Sequence, residues 1–126
     1  ITIITTSEAL NRKFEALLPA LEKAKKRGVN IKIGAPITQE NYKIAKDLTK
    51  FAEVRDTGKS GINGRFTIID SKQLMFMILD DKKVHPNYDV GVWLSSDFFS
   101  KVMEQMLVQN WNQMAPLSKI KLETSK

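Results

Sequence analysis

"NGRFTIIDSKQLMFMIL", residues 63–79, is the stretch whose reading decides the fold. RFTIID and QLMFMIL are rich in β-branched, aromatic and long apolar side chains, which suit strands. Ser71 and Lys72 separate them and read as a tight turn, so the two runs form an antiparallel hairpin. Alternate side chains of a strand share a face, so Asn63 and Arg65 point the same way, followed by Thr67 and Ile69. Asp70 lies at an odd offset from Asn63, where the strand turns. It reads as a turn-holding carboxylate rather than a partner of Asn63.

Upstream of the hairpin, ITIITT is a β-type run, and Thr6 or Ser7 can cap a helix after it. Leu10, Phe14, Leu17, Leu18, Leu21 and Ala24 then recur at helical spacing. Pro19 interrupts them and predicts a kink or a junction of two helical segments. KAKKRG closes the element with cations near the negative end of the helix dipole and Gly28 as its stop. VNIKIG predicts a second strand. Thr38 is the expected cap of a second helix, with Tyr42, Ile44, Ala45 and Leu48 facing inward. AEVRDT predicts a short strand, and TGKSGING a glycine-rich loop.

Downstream, YDVGVWLSS predicts another strand, and Ser95 or Ser96 caps a long last helix. Its apolar set is Phe98, Phe99, Val102, Met103, Met106, Leu107, Trp111 and Met114, expected to be core together with Trp93. The order βαβαβ, three more strands and a helix predicts an α/β domain. Its sheet should be mixed, largely parallel and flanked by helices, because strand–helix–strand units make parallel pairs. The expected division is one domain over residues 1–115 and a tail or linker over 116–126.

A chain of 126 residues fits one domain able to bury a core without staples. Its 20 Lys and Arg exceed its 14 Asp and Glu, a net charge of +6, which makes an anionic partner plausible. The absence of cysteine removes disulfides, thiolate metal sites and a cysteine nucleophile, and fits a cytoplasmic setting. No apolar run is long enough to span a membrane. The first residues lack a start Met and a signal-peptide pattern, so the chain reads as a domain cut from a longer protein. TGKSGING contains GKS but lacks the glycine four residues earlier that a phosphate-binding P-loop needs. Asp80, Asp81 and Asp89 read as surface carboxylates, and the lone His85 as a loop bystander. No metal site and no cofactor are expected.

Asn63, Arg65 and Asp70 have the spacing of the phospholipase D superfamily signature: His, any residue, Lys, four residues, Asp. The chain resembles that superfamily in element order as well. The resemblance implies a phospholipase D-like fold in which the motif His is a nucleophile, the motif Lys holds phosphate and two copies of the motif meet. This sequence departs from it at both working positions. The carboxamide of Asn63 cannot attack phosphorus, and Arg65 keeps only the cationic donor function. Hence no catalytic residue is expected. Asn63, Arg65, Asp70, Ser60 and Lys59 remain candidates for binding a ligand or an anion.

A narrower resemblance is to the effector domain of TrmB-type archaeal transcriptional regulators. ITIITTSEAL, ALEKAKKRGVNIKIG, the degenerate motif strand and SSDFFSKVMEQMLVQNWNQMAP carry it. It implies a non-catalytic sensor or dimerisation domain that forms a homodimer and binds a small-molecule or anionic effector. DNA would be contacted through an upstream winged-helix module. The alternatives are a phospholipase D-type phosphodiesterase or nuclease, and a domain that binds nucleic acid directly through clusters such as KAKKRG.

Overall fold

The structure is a computed structural model that describes residues 1–58, 64–83 and 85–120, leaving aside the side chains of Lys13 and Pro86. Among the described residues, seven strands form one sheet in the order β6-β5-β4-β1-β2-β3-β7. The strands are β1 (Thr2–Ile4), β2 (Lys32–Ala35), β3 (Glu53–Asp56), β4 (Phe66–Ile69), β5 (Gln73–Met77), β6 (Gly91–Ser95) and β7 (Ala115–Pro116). Helices α1 (Ser7–Lys26) and α2 (Tyr42–Leu48) cross from β1 to β2 and from β2 to β3, and α3 (Asp97–Trp111) follows β6.

The sheet is mixed, but mostly antiparallel, which corrects the expected parallel majority. Only β1–β2 and β2–β3 are parallel. The pairs β1–β4, β3–β7, β4–β5 and β5–β6 are antiparallel. The reason is connectivity. A parallel pair needs a helical crossover, and α1 and α2 provide just two.

Thr6 caps α1, its Oγ1 accepting from the Ala9 N–H at 3.1 Å. The helix runs unbroken through Pro19. It stops at Gly28, whose φ of +84° is costly for any residue with a Cβ. Gly28 N–H donates to Lys25 C=O and Val29 N–H to Ala24 C=O, the pair of bonds that closes a Schellman motif. The second helix begins later than Thr38 predicts. Buried Asn41 accepts from Thr38 N–H and donates to Pro36 C=O, each at 2.8 Å, holding residues 36–41 in a turn.

Two cores lie on opposite faces of the sheet. Leu10, Phe14, Leu21, Ile33, Leu48 and Val54 bind α1 and α2 to one face. Ile4, Ile68, Leu74, Leu107, Trp111 and Met114 bind α3 to the other. Each fully buried aliphatic side chain here contributes roughly 1.5–3 kcal/mol of transfer free energy. The last helix crosses the sheet closely at Gly34, where a Cβ would lie 2.8 Å from Ile4 Cδ1 and 3.3 Å from Trp111 Cζ3.

Ala115 and Pro116 pair with β3, and Leu117 is buried against the first core. Residues 116–120, expected in the tail, are therefore folded against the domain; residues 121–126 lie outside the described set. Trp93 departs from its expected place in the core, being 56% exposed, because β6 is an edge strand beyond the reach of α1 and α2. Phe98 and Met106 are also exposed, so only part of the expected stripe of α3 meets the sheet.

Candidate functional site

The hairpin places Arg65 at its open end and Asp70 in its turn. Arg65 immediately precedes β4, and Met77 N–H donates to its carbonyl at 2.9 Å, which extends the β4–β5 ladder. Its side chain lies on the sheet face shared with Thr67. That position is buried, so the guanidinium is largely shielded from bulk water and needs partners inside the protein.

It finds them in the loop between β5 and β6. Arg65 Nη1 and Nη2 donate to the two carboxylate oxygens of Asp89, the second at 2.8 Å, a bidentate fork. Nη2 also donates to Leu79 C=O at 2.8 Å. Asp81 Oδ2 stands 3.9 Å from Arg65 Nε and accepts from the hydroxyl of Thr6. That hydroxyl is also the cap of α1. A continuous polar chain therefore ties the first helix, the β5–β6 loop and the motif strand together. All three ionic side chains are under a tenth exposed.

Among the described residues, Arg65 faces two carboxylates in this cluster. The Asp89 hydrogen bonds push the guanidinium pKa up against the opposing effect of burial, so Arg65 is firmly charged. Three of its donated hydrogen bonds go to protein acceptors. An incoming phosphate would have to displace Asp89 and would meet Asp81 beside it. The expectation that Asp81 and Asp89 are surface carboxylates is corrected: both side chains are buried against Arg65. The sequence signal for them was Arg65 itself, since a cation on a core-facing strand position demands a buried counter-charge.

Asp70 is not brought to Arg65. It sits at the far end of β4, in the turn to β5, with φ of +55°, and Ser71 follows at +57°. Two successive left-handed residues are what an I′-type hairpin turn requires. Lys72 N–H closes the turn on Ile69 C=O at 3.0 Å. Ser71 Oγ lies 2.8 Å from both oxygens of the Glu104 carboxylate on α3, anchoring the hairpin tip. Asn63, Ser60 and Lys59 lie outside the described residues. His85 is exposed, and its Nδ1 accepts from Asn87 N–H at 3.2 Å.

Two hollows flank Arg65. A cleft of about 260 Å³ is lined by Thr6, Gly64, Arg65, Met77, Asp80 and Asp81. A smaller, mostly apolar groove of about 150 Å³ lies between α1 and the open face of β4 and β5, with Phe14, Leu17, Thr67, Met75 and Met77 on its walls. Leu17 is 42% exposed at its rim, and Trp93 stands next to Met75 on the same sheet face.

No family model matches this chain, and no curated protein does. Among solved structures it is similar to TrmBL2, described as an archaeal chromatin protein that shows a novel mode of DNA binding. The TM-score is 0.66 at 21% sequence identity, over 90% of this chain and 44% of the other. The likeness is one of fold, and this chain spans less than half the length of that protein.

Proposed function

We propose that this chain is a non-catalytic domain of a DNA-associated regulator, in which a phospholipase D-like framework serves subunit pairing and effector sensing. One observation carries the proposal. The cation in the slot where the resembled superfamily holds phosphate is buried and bonded to Asp89 and Leu79. A carboxamide at Asn63 cannot form the bond to phosphorus that the imidazole at that motif position forms in the resembled superfamily. The likeness to a chromatin protein supports an association with DNA, made in this proposal through a winged-helix module joined upstream.

The cleft beside Arg65 is the place for an effector. Among the described residues its walls carry the carboxylates of Asp80 and of Asp81, the latter already facing Arg65, so it suits an uncharged polar or cationic molecule better than an anion. The apolar face with Leu17, Met75 and Trp93 supports pairing of two subunits. A twofold interface makes such a patch self-complementary.

Two measurements test the two halves. Incubation with bis(p-nitrophenyl) phosphate should give no hydrolysis above buffer; turnover that disappears in Asn63→Ala would end the non-catalytic reading. Sedimentation velocity should show a dimer that Trp93→Ser shifts toward monomer. A chain that stays monomeric at every concentration rules out the pairing.

A further inference from the structure

We propose that the end of the molecule where α1 and α2 both terminate is a phosphate-contacting surface for duplex nucleic acid. This goes beyond the regulatory function above and does not depend on it. The topology creates the surface. Strands β1, β2 and β3 are parallel, so α1 and α2 both return against them and finish at the same edge of the sheet. The two helices pack against each other, and both last turns lie at that end.

Those turns are basic. Lys23, Lys25, Lys26 and Arg27 end α1, and Lys46 and Lys50 lie at the end of α2. All six are exposed. Among the described residues only Lys26 is ion-paired, to Glu22 at 3.6 Å. Three carboxylates share this edge: Glu22, Asp47 and Glu53. Glu53 is bonded to Arg55. At the opposite end of the parallel strands Glu8, Glu40, Asp56, Asp80 and Asp81 stand with Arg12, Lys82 and Lys83, so that end mixes both signs.

The plainer explanation is that cations complement a helix dipole. The negative end of a helix amounts to about half an elementary charge and is met by one cation. α1 instead gathers four cations in five positions, where they repel one another. That arrangement becomes favourable when a polyanion lies across it and releases its counterions. An anionic membrane is the competing polyanion. Surfaces that settle on lipid carry exposed apolar side chains among their cations. Here the apolar neighbours Leu21, Ala24 and Leu48 are buried, and none of the exposed large hydrophobics falls in residues 21–30 or 42–53. Helix ends bearing flexible lysines position a protein on phosphates and read no bases, so the binding should be indifferent to sequence.

Fluorescence anisotropy of a labelled random-sequence duplex, titrated with the 126-residue chain, tests this. About four phosphate contacts give a slope of roughly −3.6 for the logarithm of affinity against the logarithm of salt. Lys25→Glu with Lys46→Glu should weaken binding at least tenfold at about 50 mM salt and flatten the slope by about two. Lys83→Glu with Lys101→Glu changes net charge equally at sites elsewhere and should leave affinity near that of the parent. If the reversal pair melts below the assay temperature, Lys25→Gln with Lys46→Gln carries the same comparison.

Equal weakening by both pairs would reduce the effect to net charge and overturn the proposal. So would a loss of thermal stability with unchanged affinity, which would assign the cations to the helix ends. Absence of binding at about 50 mM salt overturns it, as does tighter retention on phosphatidylserine vesicles than on the duplex. A dimer without affinity for DNA keeps the regulatory function and ends only this proposal.

Discussion

Arg65 shows how a charged side chain can be taken up by the fold. Its guanidinium is buried with Asp89 and Asp81, and a buried ion pair is costly to break from one side because the other charge stays behind. Arg65→Gln should therefore cost about 3–5 kcal/mol in urea unfolding, and a loss under about 1 kcal/mol would show that the pair does not hold the fold. Asp89→Asn should also destabilise, and the double variant should lose less than the two separate losses added together, since both act on one contact. Arg65→Lys should fall between parent and Gln, because an ammonium cannot make the bidentate fork. From the sequence, the place of Arg65 on a strand beside Phe66 and Thr67 was readable, since strand alternation is local. The partners of Arg65 were not. They stand 16 and 24 positions away in a polar loop, and nothing in that loop's composition separates a buried carboxylate from a solvated one.

Among the elements, α3 depends most on other segments. Ser96 caps its start, accepting from Phe99 N–H at 3.1 Å, and Asp97 supplies an acid in its first turn. Its last turn has no cation of its own. Arg55 of β3 supplies one, donating to Trp111 C=O at 2.8 Å, with its guanidinium carbon 5.2 Å from the centre of the Trp111 ring. Ser96→Ala should cost about 1 kcal/mol. Arg55→Leu should cost about 1.5–3 kcal/mol, the range for hydrogen bonds from a charged donor. Chemical unfolding checks both, and a neutral Arg55→Leu would mean that water caps the helix equally well. The caps Thr6 and Ser96 were legible because capping is a relation across three residues. The buried side of α3 was not. Its apolar residues cover more than one face, so spacing alone could not tell Leu107 and Trp111, which are buried, from Phe98 and Met106, which are not.

At the scale of the whole molecule, the two sheet edges differ. β7 is short and is followed by buried Leu117, so this edge closes on the first core. A chain ending at residue 114 should melt below one ending at residue 120, since Leu117 alone contributes roughly 1.5–3 kcal/mol. Equal melting temperatures would return residues 116–120 to the status of a tail. The other edge, β6, leaves Trp93 outward, and Trp93→Ser should change monomer stability by no more than about 0.5 kcal/mol. Taken alone, the sequence determined the first six strands and three helices, their order, the hairpin and the capping region of the first and last helices, because each arises from spacings and hydrogen bonds within a few residues. Only the tertiary structure decided that β4 joins β1 antiparallel, that Arg65 is neutralised from the next loop and that two basic helix ends share one edge. Those outcomes depend on which distant surfaces close on one another. That choice is made by burial and charge pairing in three dimensions, and a local pattern of residues has no means of expressing it.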